Sequence, residues 1–218
     1  MAETVLDFGA SGNIGVSAVI GALQAKRKVI AVVRNQTSAE KIFNYVGTRD
    51  GITITEADIA SEESVIGIVD QVRAGKLPPF QHVFASHAYR ATAPYLLENG
   101  IPNSSWTMCS GASGDMGRRA APAVTQGALF SMATVTARDN LDANIRFNEI
   151  YLSYRVQHHV NLEDKKQFLG LAHLQTSREF APLYQQLLDG TDIRSKRVNA
   201  INPEDVVDLK YETRYRDF

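Results

Sequence analysis

Gly9, Ser11, Gly12 and Gly15 are the residues of this chain whose spacing most clearly suits chemistry on a ligand. They follow the apolar run Val5-Leu6-Asp7-Phe8 and lead directly into a helix-period pattern that begins at Asn13-Ile14. Each glycine has a task that a Cβ would obstruct. Gly9 turns tightly off a strand, Gly12 lets backbone approach a diphosphate, and Gly15 lets the helix pack onto the sheet. The helix opening there presents unpaired N–H groups and the positive end of its dipole, both of which favour an anion. Three glycines after a strand, opening a helix and followed by a second strand, are a dinucleotide-binding pattern.

The second strand is the continuous apolar, β-branched run Val29-Ile30-Ala31-Val32-Val33, and it ends in Arg34. A dinucleotide fold reads the adenosine ribose at this point. An acid there would bind a free 2′-hydroxyl, whereas the planar fork of an arginine can pair with a 2′-phosphate. Arg34 therefore favours NADP(H) over NAD(H), the alternative being a solvated arginine at a strand end. Asp58 ends a third strand (Gly51 to Ala57), and Ser86 leaves a fourth (Phe80 to Ala85). Ligands of doubly wound sheets bind outside the carboxyl ends of the strands, and Gly9 to Gly15, Arg34, Asp58 and Ser86 all fall at such ends.

The elements that must position these residues alternate. A helix from Asn13 to about Ala25 carries Ile14, Ala18 and Ala22 on one face, and Thr37-Ser38-Ala39-Glu40 has the form of a capping box for a second. Ser61, with Glu62 and Glu63 after it, caps a third helix whose stripe is Val65, Ile68, Val69 and Val72. The order β-α-β-α-β-α-β without a hairpin signal predicts an α/β, Rossmann-like, doubly wound parallel sheet with helices on both faces. Later segments read as a short helix from Tyr89 to Glu98, a strand from Ser105 to Cys109 and a small-residue helix from Ala123 to Ala137. A strand from Asn144 to Leu152, an amphipathic helix from Thr176 to Leu188 and a last strand from Lys196 to Ile201 follow. With no repeat or linker, residues 1–218 are expected to form one dinucleotide-binding domain, with a substrate-side segment from about residue 153.

Composition narrows the function. The 218 residues are 44% hydrophobic with a formal net charge of -1, so nothing drives binding to a nucleic-acid backbone. The single cysteine, Cys109, leaves no intramolecular disulfide and no cysteine-based metal cluster, which suits a reducing, cytoplasmic setting. No apolar run reaches the about 18 residues needed to span a bilayer, so no membrane partner is expected. The adjacent His158 and His159 do not share a helical face, and no Asp, Glu or His spacing forms a metal site. No nucleophile-elbow glycine pattern surrounds a serine, which disfavours a hydrolase.

The glycine spacing, the strand ending in Arg34 and the order of elements from Val5 to Leu152 resemble the short-chain dehydrogenase/reductase superfamily. The glycine motif and post-strand arginine are similar to its atypical, NmrA-like members. The resemblance implies that Asp58, with Ile59 beside it, contacts the adenine ring. It also places Ala85-Ser86-His87-Ala88 where the superfamily has Asn-Asn-Ala-Gly, so Ala85 and Ser86 would lie against the cofactor. Ser110 then matches the active-site serine, although it can also be read as a turn serine before Gly111. The superfamily's Tyr and Lys positions fall on Pro122 and Gln126, and no Tyr-x-x-x-Lys occurs anywhere. A phenol near pKa 10 needs a neighbouring cation to move protons at neutral pH, so the proton donor must lie elsewhere. Tyr151 and Tyr154 leave their strand on one side and are candidates, Tyr151 foremost. Asp115, Arg118 and Arg119 read as solvated loop residues near the substrate. The helix between the fourth and fifth strands is short for the superfamily, as if half had been deleted.

These features imply an NADP(H)-dependent oxidoreductase acting on a small-molecule carbonyl or alcohol in biosynthetic metabolism, with NADP(H) cofactor and no metal. Cofactor-binding residues would be Gly9, Ser11, Gly12, Asn13, Ile14, Gly15, Arg34, Asp58, Ile59, Ala85 and Ser86; catalytic ones Ser110 and Tyr151. Two alternatives stand beside this. One is an NmrA-like redox sensor or scaffold that binds cofactor without turnover; the other is a non-redox isomerase or cyclase in a repurposed pocket. A homodimer or homotetramer is the expected assembly.

Overall fold

Every position of β1 (Thr4–Phe8) is buried, and so are all but the first of β2 (Lys28–Val33), as required of strands covered on both faces. The computed structural model describes residues 2–117, 119–161 and 173–213. The remaining strands of the main sheet are β3 (Ile52–Glu56), β4 (His82–Phe84), β5 (Ser104–Gly111), β6 (Ile145–Leu152), β9 (Lys196–Ala200) and β10 (Lys210–Glu212). Their order is β10-β9-β6-β5-β4-β1-β2-β3. All neighbours pair in parallel except β10, which runs antiparallel to β9. The order reverses at β1, which lies between β2 and β4; the glycine loop leaves the sheet at this switch point.

Among the described residues, three helices cover each face. One layer holds α1 (Asn13–Gln24), α2 (Gln36–Val46) and, after a four-residue α5 and the longer α6, the helix α7 (Ser177–Asp189). The other holds α3 (Glu62–Arg73), α4 (Tyr89–Asn99) and α6 (Ala120–Asp139), while α5 (Ser113–Met116) follows β5. The expected Rossmann-like doubly wound sheet is therefore what the chain forms. The short α4 is fixed by Trp106 of β5, whose indole N–H donates to Thr92 Oγ1 at 2.9 Å. The connection from Phe84 to Ser104, with this eleven-residue helix inside it, suffices to bring β5 back parallel to β4.

Several local expectations are corrected. The cap of α2 is Asn35, whose side chain accepts from the Ser38 N–H at 3.0 Å; the Thr37 box is already inside the helix. Ser61 caps α3 as its type predicts. In α6 the buried residues are Phe130, Ala133, Thr136 and Ala137, whereas Val124 and Val135 are 72% and 57% exposed. The sequence pattern did not disclose β10 or the small parallel pair β7 (Arg155–Gln157) and β8 (Leu174–Thr176). Three residues are too few for an alternation signal.

Two interactions lock α1 and α7 into the structure. A Cβ on Gly21 of α1 would lie 2.6 Å from the Ala181 carbonyl oxygen and 2.7 Å from Tyr184 Cβ, so the two helices touch through bare backbone. Arg146 of β6, fully buried, donates to the carbonyls of Leu187, Leu188 and Gly190 at the carboxyl end of α7, and to Ile193 and Asn103. A cation there meets the negative end of the helix dipole. Burial lowers its pKa to about 10, which leaves it charged at neutral pH.

The α1–α7 contact generates one stability prediction. Gly21→Ala forces backbone apart and should lower stability by about 1–3 kcal/mol. Urea unfolding of the variant against the parent protein reads this directly, and an unchanged midpoint would show that the contact can relax.

Candidate functional site

The loop from Gly9 to Gly15 is shaped by backbone alone. Gly9 has φ +77, a left-handed conformation, and its carbonyl accepts from the Gly12 N–H at 2.9 Å. A Cβ on Gly15 would sit 2.8 Å from Ala10 Cα, so only glycine lets α1 start this close to the turn. Gly12 occupies the N-cap position, no side chain caps the helix and no acidic residue stands in its first turn. An anion at this end therefore meets uncovered N–H groups and the dipole without competition from a carboxylate. These features fit the diphosphate of a dinucleotide.

The loop forms one wall of a cleft of about 490 Å³ at the switch point. Of the expected cofactor residues, Gly9, Gly12, Asn13, Ile14, Gly15, Ala85 and Ser86 line it together. Ser11 lies on the loop between them, and the Ser86 hydroxyl donates to the Cys109 carbonyl at 3.0 Å. Arg34 and Asp58 stand exposed at the ends of β2 and β3 on the same edge, outside the cleft lining. The Asp58 carboxylate accepts from the Ala60 N–H at 3.0 Å, and Ile59 packs towards the α3 side of the core. Ala88 has φ +77 although it carries a Cβ. This left-handed conformation, easy only for glycine, falls at the position that the resemblance matches to a glycine.

Ser110 and Tyr151 lie on the opposite face of the sheet, towards α6, and neither lines the cleft. Ser110 is 2% exposed and its hydroxyl donates to Glu149 Oε1 at 2.5 Å. Glu149 in turn pairs with Arg197 through two hydrogen bonds of 2.8 and 3.0 Å, and the Arg197 guanidinium stacks on the rings of Phe130 and Tyr151, 4.6 Å from each. The serine proton is thus directed at a carboxylate. Gln126 stands close by, its Oε1 accepting from the Gly111 N–H at 2.6 Å, while Pro122 is exposed at the start of α6. Tyr154 does not share a side with Tyr151. It lies past the strand end on the α7 side, lines the cleft and donates to Gln175 Oε1 at 2.7 Å. Asp115 and Arg119 are exposed, as read, and Arg118 lies outside the described residues.

Four groups that the sequence pattern did not single out line the inner part of the cleft: Asp7, Thr107, Cys109 and Tyr184. Asp7 is 1% exposed, and its Oδ2 has no hydrogen-bond partner among the described residues. Burial pushes its carboxyl well above the usual carboxylate range, and burial with the Glu149 carboxylate pushes the Cys109 thiol up to about 12. Tyr184 and Tyr154 are likewise raised, mainly by burial. Burial thus favours the neutral form of each titratable group on this wall. The signal for Asp7 was present in the sequence: a carboxylate inside a run that is otherwise apolar. Among the described residues no cluster of three metal-ligating side chains occurs, and no helix is long and apolar enough to cross a membrane.

No protein-family model matches the chain. The short-chain dehydrogenase/reductase iacG of Pestalotiopsis fici is 40% identical over 244 aligned positions, covering 98% of this chain and 97% of that protein. An alignment longer than the 218-residue chain means that the relative carries residues this chain lacks. Among solved structures, a short-chain dehydrogenase of Shigella flexneri complexed with NADP superposes with a TM-score of 0.71 at 18% identity, covering 92% of this chain and 97% of that one. An NAD+-bound xylitol dehydrogenase also gives 0.71 at 18% identity, over 90% and 96%. At such identities these two show a shared fold.

Asp7 makes stability depend on pH. Its folded-state pKa lies above its unfolded value of about 3.9, so above that value the folded chain keeps a proton which the unfolded chain releases. Its contribution is full at lower pH and is lost as pH rises through the folded pKa, at up to about 1.4 kcal/mol per pH unit. Asp7→Asn should remove this slope. Urea unfolding of both proteins from about pH 5 to about pH 8 compares them, and parallel curves would show Asp7 ionised in the fold.

Proposed function

The chain belongs to the short-chain dehydrogenase/reductase family, and on that premise we propose that it is an NADP(H)-dependent oxidoreductase interconverting a small-molecule carbonyl and alcohol in biosynthetic metabolism. The observation that carries this reading is the glycine-walled cleft at the switch point, with the uncapped start of α1 facing it. The diphosphate would rest on the loop from Gly9 to Gly15. Arg34 would take the 2′-phosphate, and Asp58 with Ile59 the adenine end. Ala85 and Ser86 would lie under the nicotinamide half. When bound, the cofactor supplies or accepts the hydride. The segment from about residue 153, which brings Tyr154, Arg155 and Val156 to the cleft, would form the substrate side. The cytoplasmic location proposed with this activity rests on the single, free Cys109.

Ser110 and Tyr151 are proposed as the proton-handling end; since the cleft lies on the other face of the sheet, they would have to be reached around the carboxyl ends of β5 and β6. With its hydrogen given to Glu149, the Ser110 oxygen keeps acceptor lone pairs, which suits a substrate hydroxyl better than a carbonyl. The Arg197 guanidinium on the Tyr151 ring supplies a cation beside a phenol, the element the missing lysine would provide. A second reading, a cofactor-binding protein without turnover, is supported by Gln126. It fills the lysine position with a neutral amide that closes on Gly111.

Calorimetric titration should give tighter binding of NADP+ than of NAD+, and Arg34→Ala should weaken NADP+ by about tenfold to a hundredfold while leaving NAD+ nearly unchanged. Binding of neither nucleotide would overturn the cofactor assignment.

Ser110→Ala should reduce turnover about a hundredfold with NADP+ affinity unaltered. NADPH oxidation against a panel of aldehydes and ketones, and NADP+ reduction by the matching alcohols, provide the measurement. An unaltered rate would remove Ser110 from the mechanism, and tight binding without turnover on any substrate would favour the second reading.

A further inference from the structure

A carboxyl buried without a partner destabilises a fold, because it leaves water and gains no hydrogen bond in return. Asp7 is such a group: 1% exposed, with Oδ2 unpartnered among the described residues. Its position is what makes this informative. Asp7 lies two residues before Gly9, pairs with Ala31 of β2 on one side and Phe84 of β4 on the other, and lines the cleft that the glycine loop encloses. The neighbouring positions of the strand, Val5 and Leu6, are ordinary core residues with no exposure. A valine at position 7 would continue that pattern.

The groups that face Asp7 within the cleft decide what it can bind. Cys109 comes from β5, Tyr184 from α7, and Tyr154 from beyond the end of β6; all three are held in their neutral forms. Arg155, at the exposed start of β7, is the cation that lines the cleft. Burial pushes the Asp7 carboxyl well above the usual carboxylate range and so favours its protonated form. A protonated carboxyl is a strong hydrogen-bond donor and has an acceptor oxygen beside it. Its natural complement is an uncharged carbonyl oxygen, and best of all a primary carboxamide, which offers an acceptor and a donor side by side.

We propose that Asp7 is a hydrogen-bond donor to a carbonyl oxygen bound in this cleft. The inference rests on the dinucleotide reading and deepens it, since the carbonyl can belong either to the nicotinamide carboxamide of the cofactor or to the substrate. No other described side chain of the cleft combines an acidic hydrogen with an unpartnered buried oxygen. The arrangement also accounts for a carboxyl in a strand where the fold alone asks for an apolar residue.

Asp7→Val and Asp7→Asn test this together, because asparagine keeps a neutral donor and acceptor while valine keeps neither. Asp7→Val should unfold at higher urea than the parent protein, yet bind its carbonyl ligand about tenfold less well; Asp7→Asn should retain most of the affinity. Two titrations separate the sources. If NADP+ loses affinity in Asp7→Val while adenosine 2′,5′-bisphosphate, which lacks the nicotinamide, does not, the cofactor carboxamide is the ligand. If NADP+ is unaffected but KM for the carbonyl substrate rises, the substrate is the ligand. Unchanged NADP+ affinity and unchanged substrate kinetics in Asp7→Val overturn the proposal and leave the cofactor reading standing. A parent protein that fails to bind NADP+ overturns both. Infrared spectra add a readout independent of any ligand: the carbonyl band of a protonated carboxylic acid should be present in the parent and absent from Asp7→Asn, and its absence from the parent overturns the proposal.

Discussion

Helix α1 is held by two approaches of bare backbone, and the site depends on both. At its start Gly15 meets the turn at Ala10, and two turns further on Gly21 meets Ala181 and Tyr184 of α7. Neither contact leaves space for a methyl group. The first brings the amide end of α1 onto the glycine loop. The second fixes α7, and with it the Tyr184 side chain that closes the inner wall of the cleft. Because interiors are packed to crystal-like density, such contacts define position to within fractions of an ångström. The glycine at position 21 is therefore as much a part of the cleft as the three that line it, although it touches no part of the cavity.

The sheet separates two kinds of polar interior. On the α6 side, Glu149 and Arg197 form a buried, bidentate ion pair with Ser110 added to it and two aromatic rings flanking the cation. A buried pair of this sort is tolerated because each partner satisfies the other; losing one would strand the second charge. On the α7 side, burial favours the neutral forms of Asp7, Cys109, Tyr154 and Tyr184. Alternation of side chains along β5 is what divides them, since Cys109 faces one layer and Ser110 the other. One strand thus serves two environments of opposite electrostatic character within adjacent residues.

The parts of this architecture that were legible in the sequence are those that a local rule governs. Gly9, Gly12 and Gly15, the apolar β2 ending in Arg34, and the Ser61 cap each carry their own physical reason in their neighbours, so the doubly wound sheet and the glycine wall could be read directly. The failures share a different cause. Tyr151 and Tyr154 were placed on one side by counting along a strand, but β6 stops at Leu152 and the chain turns before Tyr154. Val135 fits a helical period yet faces outward, because the tertiary contacts of Phe130 and Ala133 set which stripe of α6 is buried. Asp7 was overlooked because the strand pattern around it was strong enough to absorb one exception. The carboxylate that Ser110 meets, Glu149, lies 39 residues further on and that carboxylate's own partner, Arg197, 48 beyond it, distances over which no periodicity carries information.

Arg146 shows how much of this fold is postponed during synthesis. Its guanidinium, on β6, is satisfied by carbonyls 41 to 47 residues later, and α1 rests on a helix about 160 residues later. At about 5–20 residues per second, a ribosome needs on the order of 10 s or more between making α1 and making the helix that covers it. Throughout that interval the part of α1 around Gly21 that meets α7 is uncovered, and Arg146, once made, has of its native acceptors only the Asn103 carbonyl. The nascent chain therefore spends most of its elongation with the layer of α1 and α2 incomplete.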